Sequence, residues 1–436
     1  MVKKLSSRKI ETFYLPIVLI ASVVVRLVSA LYLGNEVVEL PGTADQISYH
    51  NLALRVLDGF GFTFGESWWP VTGAGEPTAH WSYLYTSYLI GVYSISGRNP
   101  LVARLIQVLI VGILQPYLTY QIGKKLFGDL AGLLAALWSA GYIYFIYYSA
   151  ALMTEPVYIT AILASIYFAM QLAEDDQKQP WKIALFLGGT LAVTILLRQL
   201  FLMFVPFMFL WIWWASGRQR ILQLILVGTM IAGSILPITL YNYSRFDQFV
   251  LVNTNAGFAF YWGNHPIHGT KFISILPTEQ YVELIPKELR TLSEADLEDE
   301  LMDRGMQFIF DDPGRYILLS LSRIPTYFMF WPSVNSSLIS NISRVLSFGV
   351  ALPFIIYGLF LGLRRWQWDL KAPLTLVFLF ISIYTGIHLM SWALVRYRLP
   401  IDPFFLMFAG LALAKIFELV VERTSPTGSL SFGSGD

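Results

Sequence analysis

Two arginines and an aspartate occupy VRYRLPID, residues 395–402, a break between two long apolar runs. Asp45 sits in ADQISYHNLALRVLDGFGF, Glu155 in LMTEPVYI and Arg198 in LLRQLF, each also beside an apolar run. Guanidiniums next to a helix N-terminus make a seat for a phosphate, through charge-assisted and bidentate hydrogen bonds. A carboxylate near such a seat can take the proton of an attacking hydroxyl. Ionised groups next to membrane-depth segments are costly, so Glu155, Arg198, Arg396 and Arg398 are read as functional candidates. Leu399 precedes Pro400, which favours extended chain; Arg396 and Arg398 are then expected on one side and Tyr397 on the other. Asp402–Pro403 reads as the capped start of a helix.

Each residue also has a plainer reading. Asp45 could cap a short helix that closes at Asp58–Gly59. Glu155 could serve the dipole of a helix capped by Thr154 and opened by Pro156. The paired arginines could snorkel to headgroups or pair with Asp402.

The elements that must position these groups are membrane spans. Of 436 residues, 56% are hydrophobic and 14% charged, against about 25% charged in soluble domains. The mean hydropathy is +0.57. Runs such as 129–148 and 344–363 are long enough to cross a bilayer as helices, and the short alternating segments of a barrel are missing. The net charge of +1 offers nothing for nucleic acid, and a chain with no cysteine has no thiolate chemistry or disulfides. The run 12–33 is too long for a signal-peptide core and reads as a retained anchor.

Lys3, Lys4, Arg8 and Lys9 precede the first run and place it inside-first. Lys124–Lys125, Lys178 with Lys182, Arg218 with Arg220, and Arg364–Arg365 with Lys371 fall on that same side if 81–96 and 314–332 do not cross. The first of these is short and crowded with Trp and Tyr; Arg323 and Pro325 interrupt the second. The expected fold is therefore an all-α polytopic integral membrane protein with about ten spans, near 12–33, 101–123, 129–148, 155–173, 181–197, 200–215, 220–241, 344–363, 372–391 and 400–419. One transmembrane domain, 1–422, then carries two large outer loops, 34–100 and 242–343, with interfacial helices, and a polar disordered tail, 423–436. Both termini are expected in the cytoplasm of a plasma (inner) membrane chain, with the site facing periplasm or exterior.

Within those loops, Glu76 and His80 in GEPTAHW could give polar contacts or a metal ligand, though no zinc spacing accompanies them. Asn255 lies in NTNAGFAFYWGNHP, a mixture that suits a sugar contact but reads more safely as a turn. Ser293 and Asp296 have capping-box spacing, and the acidic residues of SEADLEDELMDRGMQFIF are expected on a solvated helix face.

The order of ADQISYHNLALRVLDGFGF, GEPTAHWSYLY, QIGKKLFGDLAGLLAALWSAGYIYFIYYSAALMTEPVY and VRYRLPIDPFFLMFAGLAL resembles glycosyltransferase family 39 and related C-type glycosyltransferases. These include protein O-mannosyltransferases and the lipid A aminoarabinose transferase. The resemblance implies the C-type fold and a polyprenyl-phosphate-linked sugar donor, with a lipid, glycan or protein acceptor at the outer face of the bilayer. It implies Asp45 and Glu155 as the catalytic acids, and Arg396 and Arg398 on the donor phosphate; Arg198, a further outward-facing charge between two spans, is expected to join them there. Tyr49, Arg55, Glu76, His80, Asn255 and Tyr397 are the expected substrate contacts, Arg55 being also a fair headgroup contact. Relatives often carry a basic residue and prolines where this chain has AHWSYLY, so His80 stands in for that group or the contact is lost. One base suffices for a single inverting displacement, whereas retention would call for a nucleophilic carboxylate. A divalent cation between a carboxylate and the phosphate is left open. Two rivals remain: a polytopic transporter, and a ligase or polymerase using a lipid pyrophosphate-linked glycan.

Overall fold

The computed structural model describes residues 7–174, 176–334 and 336–424. Among them the chain is helical, with two isolated bridges, Thr63–Pro77 and Trp68–Thr72, in the first loop. Among the described residues nine helices are long and apolar enough to cross a membrane: α1 (Ile10–Leu33), α4 (Pro100–Phe127), α7 (Glu155–Leu172), α8 (Pro180–Leu197), α9 (Gln199–Ser216), α10 (Ile221–Phe246), α15 (Leu338–Trp366), α16 (Pro373–Met390) and α18 (Asp402–Thr424, apolar to Val421). A tenth span forms if α5 (Asp129–Gly141) and α6 (Ile143–Ala150), bent by 51° at Tyr142, are taken together. The chain is an all-α polytopic membrane protein, and the ten expected segments each fall on one of these.

The remaining helices belong to the connections. They are α2 (Asp45–Leu57), α3 (Tyr83–Ser96), α11 (Ala256–Asn264), α12 (Thr278–Leu284), α13 (Glu294–Asp311), α14 (Pro313–Tyr327) and the single turn α17 (Val395–Arg398). The two doubtful segments become α3, of 14 residues, and α14, of 15, each shorter than the ~20 residues a span needs. Helix α14 has its polarity reversed. Leu319, Arg323 and Tyr327 are buried, while Ile317, Leu318, Leu321 and Ile324 are exposed. The Nη1 and Nη2 groups of Arg323 donate to the carbonyls of Leu389 and Gly263 and to Asn264 Oδ1. A polar inner face and an apolar outer face suit a helix that meets hydrocarbon from the side.

Local chemistry fixes the helix ends. Asn99 caps α4 by accepting Val102 N at 3.3 Å, and Pro100 takes the first helical position. Ser293 caps α13, accepting Asp296 N at 3.2 Å and donating to Asp296 Oδ2 at 2.6 Å, as the spacing predicted. The acidic face of α13 is not uniformly solvated, however. Glu294 is buried and accepts from Ala79 N (2.7 Å), Thr254 Oγ1 (2.5 Å) and Thr72 Oγ1 (2.8 Å). Glu298 accepts from Gly257 N at 2.7 Å, where a Cβ would come within 2.1 Å of the Glu298 carbonyl oxygen. The expectation failed because the partners, two hydroxyls and the main-chain N–H groups of Ala79 and Gly257, lie tens to hundreds of residues away in sequence, invisible to a local pattern. The bonds from Ala79 and Thr72 to Glu294 join the two large loops, 34–100 and 242–343.

The basic loops gather at the opposite end. Lys124 pairs with Glu11 (2.6 Å) and Asp129 (3.0 Å), Lys125 with Glu174, and Arg220 donates to the carbonyls of Leu172 and Glu174. Helix α7 runs from Glu155 at one end to Leu172 at the other, 18 residues or about 27 Å. The expected tail, 423–436, lies outside the described residues except for its first two, which end α18.

Candidate active site

Four of the five charges singled out by sequence meet at the loop-covered end. Glu155 is the first residue of α7 and its side chain is 1% exposed. Its Oε1 accepts from Arg198 Nη2 at 2.5 Å and lies 3.6 Å from Arg396 Nε. Arg396 reaches further, with Nη2 2.9 Å from Asp45 Oδ2 and Nη1 donating to the Gly42 carbonyl at 3.0 Å. The result is a chain of alternating charge, Asp45–Arg396–Glu155–Arg198, drawn from four separate segments. Glu155 Oε2 and Arg396 Nε are buried without a hydrogen-bond partner, an unusual state for buried charged atoms.

The helix starts explain the geometry. Asp45 opens α2, but the N-cap residue is Ala44 and no side chain caps that end. The capping role is therefore not taken, and the carboxylate is spent on Arg396. Thr154 does not cap α7 either; its Oγ1 accepts from Arg198 Nε at 3.1 Å. Gly42 holds φ +73°, and a Cβ there would meet the Tyr148 hydroxyl at 2.7 Å, so the carbonyl that seats Arg396 requires glycine.

Aromatic rings enclose the cluster. The Arg198 guanidinium lies 5.6 Å from the Tyr158 ring and 6.0 Å from the Tyr397 ring, and Arg396 lies 5.5 Å from Tyr397. Tyr397 stacks on His388 at 5.0 Å. Tyr49, one turn along α2 from Asp45, packs edge-on against Trp81 and Tyr85. Burial first, and then the Asp45 charge, push its phenol above the usual range. His80 stands edge-on to Trp81, and its Nδ1–H donates to the Thr254 carbonyl at 3.3 Å, which leaves Nε2 as the acceptor. Burial lowers the His80 pKa, opposed by Glu294. Asn255 donates to the His80 carbonyl at 3.3 Å. Gln199, the neighbour of Arg198, exchanges two hydrogen bonds with the Asn253 backbone (2.9 and 3.1 Å), tying this loop to the cluster.

Three expected site residues stand elsewhere. Arg398 is fully buried and faces away: Nε and Nη2 bond Asp402 (2.8 and 3.5 Å), and Nη1 donates to the Tyr327 carbonyl at 3.1 Å. The stretch 395–398 is a helical turn, with Leu399 at φ −50°, ψ −34° in spite of Pro400. At about 100° per residue, side chains two apart then point in opposite directions, which corrects the extended reading. Arg55 lies ten positions along α2, about 15 Å from Asp45; it bonds Thr63 Oγ1 at 3.3 Å and covers Phe60. Glu76 closes a local turn, accepting from Gly73 N at 3.1 Å. Sequence reasoning overlooked Tyr158, Tyr148 and His388. Only Tyr158 left a local signal, since it follows Glu155 by three positions on one helix face. Among the described residues no group of three or more His, Cys, Asp or Glu side chains forms a metal-binding arrangement; the two site carboxylates hold a guanidinium between them.

Residues 84–245 match the family model of dolichyl-phosphate-mannose-protein mannosyltransferase. The structure is similar to that of the archaeal oligosaccharyltransferase AglB from Archaeoglobus fulgidus, solved with an inhibitory peptide and a dolichol-phosphate. The TM-score is 0.60 at 14% identity, covering 95% of this chain and 52% of that one. The two chains share a fold. A second AglB structure, tethered to an acceptor peptide with the NVT sequon, gives TM-score 0.60, 12% identity, and coverage of 95% and 51%. A looser likeness, TM-score 0.49 at 12% identity over 94% of this chain and 63% of that one, links it to ArnT from Cupriavidus metallidurans bound to undecaprenyl phosphate. This chain thus spans about half the length of the AglB chains. No curated protein matches it in sequence. The match to the mannosyltransferase family model includes Glu155 and Arg198 but stops short of Asp45 and Arg396 on either side.

Proposed function

We propose that the chain is a membrane glycosyltransferase that moves a sugar from a polyprenyl-phosphate donor to an acceptor hydroxyl or amine. The observation that carries this reading is the alternating cluster Asp45–Arg396–Glu155–Arg198, with two buried polar atoms left unpartnered. Arg396 and Arg198 take the donor phosphate and the negative charge that grows on it as the sugar leaves. Glu155 holds both guanidiniums in register. Asp45 accepts the proton of the acceptor as its oxygen or nitrogen attacks the anomeric carbon. One bond forms from acceptor to sugar, one breaks from sugar to phosphate, and the anomeric centre inverts. His80, Asn255, Tyr49 and Tyr397 border the acceptor and sugar. Arg398 is left out of the phosphate seat, its donors being engaged elsewhere. Two further points support the reading: the matched family is named for a dolichyl-phosphate-linked sugar donor, and the AglB structure of the same fold holds a dolichol-phosphate. By the positive-inside rule, the basic end is cytoplasmic and the site faces the periplasm or exterior of an inner membrane.

The test uses the purified chain in nanodiscs with a panel of radiolabelled polyprenyl-monophosphate sugars and a cell-envelope extract as acceptor source. Turnover of one monophosphate donor, lost in Asp45→Asn, is expected. Turnover of pyrophosphate-linked glycans instead would indicate a ligase or polymerase. Vectorial uptake of a solute with no transfer would indicate a transporter, a role to which a cluster at one end of the bundle, rather than mid-membrane, is poorly suited.

A further inference from the structure

The second arginine of the turn poses a question that the site does not answer. Arg398 is sealed: three donor nitrogens have partners, and its guanidinium covers the Phe348 ring at 3.6 Å. Asp402 is fully engaged too, since Oδ2 also accepts from the Tyr142 hydroxyl at 2.7 Å. Tyr142 is the residue at which the α5–α6 span bends. Tyr327, whose carbonyl takes Arg398 Nη1, ends α14. One buried ion pair therefore ties the kink of a broken span, the end of the lateral helix and the start of α18 to the four-residue turn that carries Arg396.

Such a pair contributes little net stability over an apolar replacement, because desolvation of two charges offsets their attraction. What it supplies is a fixed orientation. In a turn of only four residues the ion pair sets the azimuth together with the Tyr397 ring stacked on His388 and the bonds from Leu399 N to Arg396 O and from Ile401 N to Arg398 O, and the side chain two positions back faces the other way. Holding Arg398 inward on Asp402 aims Arg396 outward at Asp45 and Glu155. The long, flexible Arg396 side chain would otherwise have to give up considerable rotamer freedom to bind there.

We infer that Arg398, Asp402 and Tyr142 are positioning residues that aim the Arg396 guanidinium at the phosphate seat, and that Arg398 acts on the donor only through Arg396. The aiming is a property of the fold; its effect on the donor rests on the proposed function.

Two measurements separate these layers. The chain has no native cysteine, so a nitroxide on Arg396→Cys reports the turn alone. Adding Arg398→Lys or Tyr142→Phe is expected to mobilise that label, while a second label on Ile110→Cys in α4 is unchanged. An immobile label at 396 in both variants would overturn the inference. The second measurement is binding of dolichyl monophosphate in nanodiscs. Arg398→Lys is expected to weaken binding about tenfold in the native background but less than twofold when Arg396 is already Ala, the non-additivity of a residue acting through another. Equal losses in both backgrounds would mean that Arg398 touches the phosphate itself, or that the change merely loosens the fold, and would overturn the inference. A mobilised label in a chain whose native form binds no dolichyl monophosphate would support the aiming and defeat the proposed function.

Discussion

Two ionic groups built from the same residue types lie on either side of one helical turn, and they are finished differently. Around Arg398 each of the three guanidinium nitrogens has an acceptor, nothing is exposed, and a tyrosine hydroxyl completes the carboxylate. Around Arg396 the side chains of Arg396, Asp45 and Arg198 keep 16%, 23% and 21% of their surface, and Glu155 Oε2 has no partner. A saturated buried pair is architecture. An unsaturated one, reachable at its edge, retains bonding capacity for something else. The contrast shows why counting arginines near a helix start is a weak guide to a phosphate seat, and why checking each nitrogen for a partner is a better one.

Substitutions on the open side are expected to damage chemistry first. Asp45→Asn should lower transfer by about 10²–10⁴-fold, the range of a general base, with dolichyl-monophosphate binding retained. Arg396→Ala should lower transfer by about 10²–10³-fold and weaken donor binding, while thermal stability shifts by less than about 1 kcal/mol because the cluster is partly solvated. On the sealed side the order reverses. Asp402→Asn should cost about 3–5 kcal/mol of stability, since it leaves Arg398 buried and unpaired. A stability loss for Arg396→Ala equal to that of Asp402→Asn would erase the distinction between the two groups.

Glu298 falls between these cases. It is a loop carboxylate holding Gly257 N and Phe258 N, and burial raises its pKa from 4.5 to about 7. A folded-state value above the unfolded one means that the protonated form favours the folded chain. That contribution is full below pH 4.5 and is lost as pH rises through about 7. Melting temperatures taken across this window should fall with rising pH in the native chain and flatten in Glu298→Gln. The smallest effect is expected for Arg55→Ala, within about twofold in transfer, because its contacts close the far end of α2.

The spans were legible because apolar length is a local property, and each of the ten segments carries its own signal. The charged cluster was legible for a related reason, since Glu155, Arg198 and Arg396 are out of place among apolar neighbours, whereas Asp45, flanked by Thr43, Gln46 and Ser48, was marked by the family resemblance. What local reading missed is tertiary. Pro400 argued for extended chain at Leu399, but the Arg398–Asp402 pair and the bonds from Leu399 N to Arg396 O (3.2 Å) and Ile401 N to Arg398 O (2.9 Å) impose a turn. Spacing of four residues between Arg398 and Asp402 is helical spacing, and it carried the better signal. His388 and Tyr148 gave no sign, since nothing in their own segments marks proximity to residues hundreds of positions away. Glu294 and Glu298 misled because their partners, threonine hydroxyls and backbone N–H groups, are far away in sequence.

The most direct test of the central claim is an experimental structure of the chain with a dolichyl-monophosphate analogue that cannot transfer its sugar. The expected result places the phosphate within hydrogen-bond reach of Arg396 and Arg198, with Arg398 still closed on Asp402. A phosphate bound by Arg398, or one seated away from both Arg396 and Arg198, would contradict the account.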